Sequence, residues 1–354
     1  MRVMVAMSGG VDSSVAAALV RDAGHHAVGV TMRLWGGESD TGCCSVSDVD
    51  DARRVADHLG IDHHVFNLSD DFERHVVDPY VADHAAGRTP NPCIECNRHL
   101  KFDVLLRRAE QLGFDAVATG HHARLAPGGD GALRLRRGAD PAKDQSYVLY
   151  PLSGDDLDSV MFPVGDLTKD EVRAVAARLG LRTASKPDSQ DVCFIQRAEG
   201  RASFLRRRIP LTPARVIDGD GALVGEVEAA ELVTVGQRKG LGIGGGDRRY
   251  VLDVDVPSAT VRIGDRGELL TETTTLGRMV WARGPVDGPV TAQVGAHGSP
   301  RRASVTASTR GATGHLADAD GLEVRWAEPS PRVAPGQSVV LYRGDLVVGG
   351  GVAL

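Results

Sequence analysis

The segment Ser8-Gly9-Gly10-Val11-Asp12-Ser13-Ser14 constrains the chain more than any other. A short apolar run, Arg2–Ala6, enters it, and an alanine-rich run, Val15–Val20, leaves it toward Gly24. A strand turning through glycines into a helix aims free backbone N–H groups and the positive end of a helix dipole at one point. Gly9 and Gly10 let the backbone approach a phosphate, and the hydroxyls of Ser8, Ser13 and Ser14 add donors. No Gly-Lys-Ser/Thr ending follows, so the loop is not of the Walker type that wraps β- and γ-phosphates around a lysine. An ordinary glycine turn would explain a lone Gly-Gly. Seven consecutive residues of this kind at the first strand–helix junction favour a phosphate cradle.

The first 125 residues continue the alternation. His26–Leu34, His63–Leu68 and Ala116–Thr119 read as strands, and Asp48–Leu59, Asp71–Ala85 and Leu100–Leu112 as helices stopped by glycines or polar residues. This pattern predicts an α/β fold with a parallel sheet, whose ligands bind beyond the carboxyl ends of the strands. The loop, Gly36–Ser45, Thr89–Asn97 and Gly120–Arg124 would then share one rim. Residues 145–212 read as short helices, with Leu167–Leu179 and Ser203–Ile209 the clearest. From Pro213 short strands separated by Gly, Asp and Pro predict a small β-barrel or two packed sheets, with Gly219-Asp220-Gly221 a hairpin turn. The domains expected are 1–144, 145–212 and 213–354.

A chain of 354 residues is too long for one core, and its 42% hydrophobic and 25% charged residues suit a globular protein. No apolar run approaches the roughly 20 residues of a membrane span, and the strand at the very start leaves no room for a signal peptide. Five cysteines, Cys43, Cys44, Cys93, Cys96 and Cys193, are too few for a disulfide scaffold, so a cytoplasmic location is expected. The net charge of −6 argues weakly against nucleic acid, but charge is segregated: Arg197–Arg215 holds six arginines against Glu199. Five lysines stand against 36 arginines, so a retained ammonium is informative. Lys101, Lys143, Lys186 and Lys239 all fall in the segments singled out here.

Thr89-Pro90-Asn91-Pro92-Cys93-Ile94-Glu95-Cys96-Asn97 holds two prolines that argue against regular structure, and the helix after it would offer its dipole to a thiolate. Its Cys-x-x-Cys pair suits a redox couple, half a zinc site or part of an iron–sulfur site; structural zinc lacks a second pair spaced by two. Lys186–Ile195 reads as a loop entering an ordered element at Cys193, a residue type that is more often core than reactive. Asp144–Tyr150 and Val235–Gly245 complete the set. The Gly-x-Gly-x-x-Gly in the last lies in a β-rich region without a βαβ setting, so dinucleotide binding is set aside.

Together these motifs, SGGVDSS, TPNPxxxCN, DQSYxLY with DxCFI, and GQRKGLGIGG, resemble the tRNA-specific 2-thiouridylase family of the PP-loop ATP pyrophosphatase superfamily, from residue 3 to the C-terminus. The resemblance implies an N-terminal PP-loop domain, a small, mainly helical central domain and a C-terminal β-barrel. It implies that ATP with Mg²⁺ is a substrate, bound by Ala6, Met7, Ser8, Gly9, Gly10, Val11, Asp12 and Ser13, with Met32 and Gly120 at the nucleoside. It implies that Cys96 is the nucleophile and Cys193 the persulfide carrier, joined in a transient Cys96–Cys193 disulfide. Asn91, Pro92 and Cys93 match the segment facing the target base, and His121, Lys143, Asp144, Gln145 and Gln337 match tRNA-contacting positions. The partners implied are tRNA and an upstream sulfur-carrier or cysteine desulfurase relay.

The chemistry requires such residues. Uridine O2 is a poor leaving group until it attacks the α-phosphate of ATP and becomes an adenylate, after which sulfur can displace AMP. A disulfide needs Cα atoms within roughly 7 Å, so cysteines in two loops imply movement on tRNA binding. Many members of the family have Asp at the position of Cys93, an acid able to act as a base. With Cys93 the chain has three thiols, Cys93, Cys96 and Cys193, that could instead hold a [4Fe–4S] cluster; the persulfide route is the preferred reading. Two other readings exist: a synthetase of the amidotransferase or argininosuccinate synthase kind, which would not need Cys193, and an RNA-binding protein with ATP as a mere ligand.

Overall fold

The computed structural model of the protein describes residues 1–34, 46–188, 192–195, 200–243, 248–306 and 321–354. Cys43 and Cys44, Gly36–Ser45, Ser189–Asp191 and Gly244–Gly245 of the motifs above lie outside the described residues. In chain order come β1 Arg2–Ala6, α1 Val11–Asp22, β2 His26–Arg33, α2 Val46–Leu59, β3 Asp62–Asn67 and α3 Ser69–Phe72. A π-helical stretch, Glu73–Val77, precedes α4 Asp78–Ala85. Then follow α5 Pro92–Glu95, a second π-helical stretch Cys96–Val104, and α6 Leu105–Gln111. Next are β4 Ala116–Thr119, β5 Ala123–Pro127, β6 Leu133–Arg137, β7 Val160–Met161, α7 Lys169–Arg178 and α8 Gly200–Arg206. The remaining strands are β8 Ala214–Ile217, β9 Leu223–Val227, β10 Tyr250–Asp255, β11 Thr260–Gly264 and β12 Leu270–Trp281. β13 Gly288–Val294, β14 Arg301–Val305, β15 Leu322–Pro331, β16 Ser338–Arg343 and β17 Leu346–Ala353 complete the series.

Two compact units divide these elements. The first comprises residues 1–77, 92–198 and 345–347. Its parallel sheet has the order β3-β2-β1-β4-β7. Because β2 and β3 lie on one side of β1 and β4 on the other, the order reverses between β1 and β4. Such a switch point opens a crevice at the carboxyl ends of the strands, where the glycine loop leaves β1. α1 meets the core through Val15, Ala16, Ala17 and Ala18, all 0% exposed, and the small side chains let α2 and α7 approach it. Val55, Ala56 and Leu59 of α2 and Val172 and Ala176 of α7 fill the same cluster. The β5–β6 hairpin lies in this unit and pairs Arg136 with Leu346.

The second unit comprises residues 78–91, 199–344 and 348–354. It holds a four-stranded sheet, β10-β11-β8-β9, around Val216, Val251, Val261 and Ile263. The turn at Gly219–Gly221 is the expected hairpin, with Gly221 at φ +82° and Asp218 N–H donating to Ala222 O. It also holds a ring of β12, β15, β14, β13, β16 and β17, closed by the β12–β17 pairing into a six-stranded barrel.

The fold corrects three local expectations. Thr89–Asn97 is not irregular throughout: the helix begins at Pro92 and runs on to Gln111. Pro is favoured at the first helical position, where its missing N–H would be unpaired in any case. The helix expected over Asp71–Ala85 is broken by the π-helical turn at Glu73–Val77. Strands β5 and β6 and the twelve-residue length of β12 were not expected. The short helices expected over 145–212 do form, at Ser146–Leu149, Gly154–Ser159, α7, Arg182–Ser185 and α8.

Candidate nucleotide and thiol site

Ser8 is exposed at the lip of the loop, whereas Val11 and Ser13 are buried beneath it. The Ser13 hydroxyl accepts from Ser8 N–H at 3.1 Å and donates to Gly10 O at 3.1 Å, and Ser14 Oγ donates to Gly10 O at 2.8 Å. These bonds fix the loop's curvature. Gly9 has φ +70°, and a Cβ there would run into the Asp48 backbone. At Gly120 a Cβ would lie 2.5 Å from Ser13 N and 2.6 Å from the Asp12 carbonyl carbon. The loops after β1 and β4 therefore meet backbone to backbone at the switch point, which requires glycine at 120, while Gly9 is required where the loop passes the Asp48 backbone. Ala6 and Met7 are buried, and Met32 near the end of β2 is 8% exposed.

Charges surround this junction. Lys169 Nζ donates to Asp12 Oδ1 and Oδ2 at 2.8 and 2.7 Å and lies 2.8 Å from Asp188 Oδ1. His122 Nε2 is 3.1 Å from Asp12 Oδ1. Burial pushes the Asp12 carboxyl up, but the bonds from His122 and Lys169 outweigh it and hold the group below the usual carboxylate range. Asp188 also takes Lys143 Nζ at 2.8 Å and Arg173 at 2.9 Å. Burial again opposes ionisation there, and Lys143 and Lys169 prevail, bringing Asp188 down to about 2. Lys186 Nζ donates to Gly9 O at 3.0 Å and to Asp48 and Asp51 at 2.7 and 2.8 Å, tying the loop to α2. Burial lowers its affinity for a proton and the two carboxylates more than restore it.

Distant sequence motifs converge on the same end of the sheet. Asn97 is 3% exposed and its Nδ2 donates to Val148 O at 3.1 Å, joining TPNPxxxCN to DQSYxLY. Gln145 Oε1 accepts from His122 N–H at 2.9 Å, joining DQSY to the loop after β4. The Asp144 carboxylate accepts from Gly138 N–H, Ser146 N–H and Arg137. His121 is 8% exposed, beside the Thr119 hydroxyl at 2.8 Å and Lys101 Nζ at 3.4 Å. Burial first, then the charge of Lys101, holds its ring well below the ordinary histidine value, so it is neutral at pH 7.

Pro92 and Cys96 are buried and Cys93 is exposed, all on the helical segment that opens at Pro92. Cys193 is half-buried, and its neighbour Phe194 packs edge-on against Phe72 of α3 at 5.6 Å. α3 in turn contacts the π-helical stretch that Cys96 opens. Among the described residues no three His, Cys, Asp or Glu side chains converge as a metal-binding group. Cys93, Cys96 and Cys193 as placed thus do not fit a preformed cluster site. Asn91 and Gln337 belong to the second unit, where Gln337 Oε1 accepts from Ala334 N–H at 3.3 Å. No described helix is long and apolar enough to cross a membrane.

The sequence assigned no role to Lys169, His122 or Asp188, although His122 lies in the rim segment Gly120–Arg124 and Asp188 in the motif Lys186–Ile195. A signal for Lys169 was present: of the five lysines in this arginine-rich chain, it is the one outside the segments singled out above.

A glycine loop at the switch point of a parallel sheet, walled by half-buried carboxylates and the buried Lys169 amine, defines the class of PP-loop nucleotide-using domains, here joined to β domains. Three family models match in succession: a tRNA methyl transferase HUP domain over residues 1–197, a tRNA methyl transferase PRC-barrel domain over 202–265 and an aminomethyltransferase beta-barrel domain over 275–353. The chain is 43% identical to a tRNA-specific 2-thiouridylase MnmA of Roseiflexus castenholzii, over 99% of this chain and 98% of the relative. It is 47% identical to proteins of that name from Rhodococcus jostii (99% and 97% covered) and Mycolicibacterium smegmatis (98% and 96%). The chain belongs to the tRNA-specific 2-thiouridylase (MnmA) family, a family of tRNA sulfurtransferases. A solved 4-thiouridine synthetase–RNA complex with bound ATP is similar at 20% identity, over 55% of this chain and 44% of that one, with a TM-score of only 0.38.

Proposed function

We propose that the protein thiolates C2 of the wobble uridine of tRNA at the expense of ATP, as its family membership implies. Mg²⁺-ATP is bound by Ala6–Ser13, with Met32 and Gly120 at the nucleoside. Uridine O2 attacks the α-phosphate, pyrophosphate leaves, and O2 carries AMP. Cys193 receives a persulfide sulfur from an upstream carrier or cysteine desulfurase. The Cys96 thiolate attacks Cys193 Sγ, breaking the persulfide S–S bond, forming a Cys96–Cys193 disulfide and releasing hydrosulfide. Hydrosulfide adds to C2, and AMP departs with the oxygen. An external thiol reductant then reopens the disulfide.

In this reading the ATP-binding residues just named lie in 1–144, and parts of 145–212 with 213–354 help to hold tRNA. Asn91, Pro92 and Cys93 face the base, and His121, Lys143, Asp144, Gln145 and Gln337 position the tRNA. The setting is cytoplasmic. The observation that carries the reading is the backbone-to-backbone approach of Gly120 to the Asp12–Ser13 peptide, which shapes the glycine loop at the switch point, with Lys169 joining Asp12 to Asp188 beside it. The test incubates the protein with Mg²⁺-ATP, a sulfur source, a thiol reductant and unmodified tRNA. Nucleoside mass spectrometry should find 2-thiouridine, with AMP formed in step. AMP without thiouridine would favour the synthetase reading and overturn this one.

A further inference from the structure

Lys169 stands where an ammonium is hardest to keep. It is 7% exposed, and it opens α7, at the helix end whose dipole repels a cation. A purely structural link between α7 and α1 does not need it, because Val15, Ala16, Val172 and Ala176 already pack the two helices together. Buried ion pairs are seldom better for stability than apolar groups of the same volume. The glycine loop that precedes Asp12 has no lysine of its own. Lys169, 157 positions along the chain from Asp12, brings one to its first helical turn.

An ammonium has three N–H groups, and those of Lys169 are all spoken for by Asp12 Oδ1, Asp12 Oδ2 and Asp188 Oδ1. A phosphate oxygen can be accommodated only if one carboxylate yields. Asp12 offers both oxygens and is held further by His122. Asp188 offers one, and it keeps Lys143 and Arg173 when Lys169 is lost. Asp188 is therefore the partner that gives way at least cost. It stands five residues before Cys193.

We propose that Lys169 is a polyphosphate-binding residue of the nucleotide site and that Asp188 is the counter-ion a polyphosphate displaces, so that nucleotide occupancy is transmitted to the segment carrying Cys193. The proposal rests on the nucleotide reading above. Lys169 contacts the ligand, and Asp188 is a positioning residue that acts through it.

The two residues predict opposite signs, which a structural role would not. The full-length chain is titrated by equilibrium dialysis with Mg²⁺-ATP and, separately, with adenosine. Lys169→Met should weaken ATP about tenfold or more, the value of a charge-assisted bond, and leave adenosine unchanged. Asp188→Asn should tighten ATP about threefold or more by removing the competing anion, again with adenosine unchanged. In the wild type a non-hydrolysable ATP analogue should change the rate at which iodoacetamide labels Cys193, read by peptide mass spectrometry, and Asp188→Asn should abolish that response. Equal loss of ATP and adenosine in Lys169→Met, weaker ATP binding in Asp188→Asn, or a nucleotide response of Cys193 that survives Asp188→Asn overturns the proposal. Should Lys169→Met fail to fold, the half-buried Asp188 variant decides alone. A wild-type chain that binds adenosine but not ATP refutes this inference, and one that binds neither refutes the nucleotide reading itself.

Discussion

The rim of the parallel sheet and the interior of the β8–β11 sheet bury very different things. At the rim Lys169, His121 and His122 are nearly inaccessible and Asp12 is held among them. Inside the four-stranded sheet Val216, Val251 and Val261 are 0% exposed and Ile263 2%. Each buried ion costs several kcal/mol of lost hydration, whereas each apolar Å² removed from water contributes about 25 cal/mol. One region gives up stability to keep charges in place, and the other accumulates it. Substitutions at the rim should therefore damage ligand handling more than folding, and substitutions in the sheet the reverse.

The largest effect tests the rim's chemistry. Cys193→Ser should reduce thiouridine formation to the level of a blank while leaving the melting temperature unchanged, because the residue is only half-buried. Retained thiolation would remove the thiol step from the account. In the β sheet, Ile263→Ala should cost about 2–5 kcal/mol in urea unfolding with no change in ATP affinity. An ATP defect out of proportion to that loss would break the division. Gly120→Ala should cost about 1–3 kcal/mol through overpacking against the Asp12–Ser13 peptide, and it should also weaken ATP, since the loop must shift to relieve the clash. Stability loss without loss of ATP binding would mean that the two loops can separate harmlessly.

Acid distinguishes charge types within the comparison. His121 at the rim and His84 in the second unit are both kept neutral by burial first, and then by the charges of Lys101 and Arg201 respectively, with His84 brought to about 4. The unfolded chain takes up these protons near pH 6.5 and the folded chain does not, so folding stability is full above 6.5 and declines as pH falls below it. For His84 the decline spans 6.5 to about 4. The carboxylates act later: Asp188 contributes stability above its ordinary value of 3.8 and loses it as pH falls toward about 2. His84→Asn should flatten the stability profile between pH 6.5 and 4 in urea titrations at fixed salt. An unchanged slope would show that this ring already accepts a proton in the folded chain.

What the amino-acid order revealed follows the range of the forces involved. β1, β4 and α1 were legible because an apolar strand, glycines and an alanine run are local signals. The β5–β6 hairpin was not, since Leu133 and Leu135 alternate with three arginines whose partners, Asp130, Asp144 and Asp345, are found only after folding. The length of β12 was missed because its first half, Leu270–Thr275, is polar and acquires a partner only from β15. Pro92 misled by chemistry rather than range: the ring that blocks a helix interior also starts one well. At the site the glycines and Gln145 were assigned roles from their motifs. Lys169, His122 and Asp188 were not, because nothing near them in sequence states that two of them meet Asp12 and the third meets Lys169.

The smallest effect asks how firmly the rim's cation is held. Thr168 caps α7: its Oγ1 accepts from Glu171 N–H at 3.3 Å, and Glu171 Oε2 accepts from Thr168 N–H at 2.7 Å. Thr168→Ala removes half of this reciprocal pair and should cost about 1 kcal/mol. The next residue is Lys169, whose backbone N–H donates to Asp140 at 3.0 Å. If that bond and the bonds to Asp12 and Asp188 fix the ammonium by themselves, ATP affinity should stay within about twofold of the wild type, since the residual loss is only that of a frayed first turn. A larger drop would show that the capping box, and not the carboxylates, sets the position of Lys169, and the stability and ligand functions would then share a residue at this one helix end.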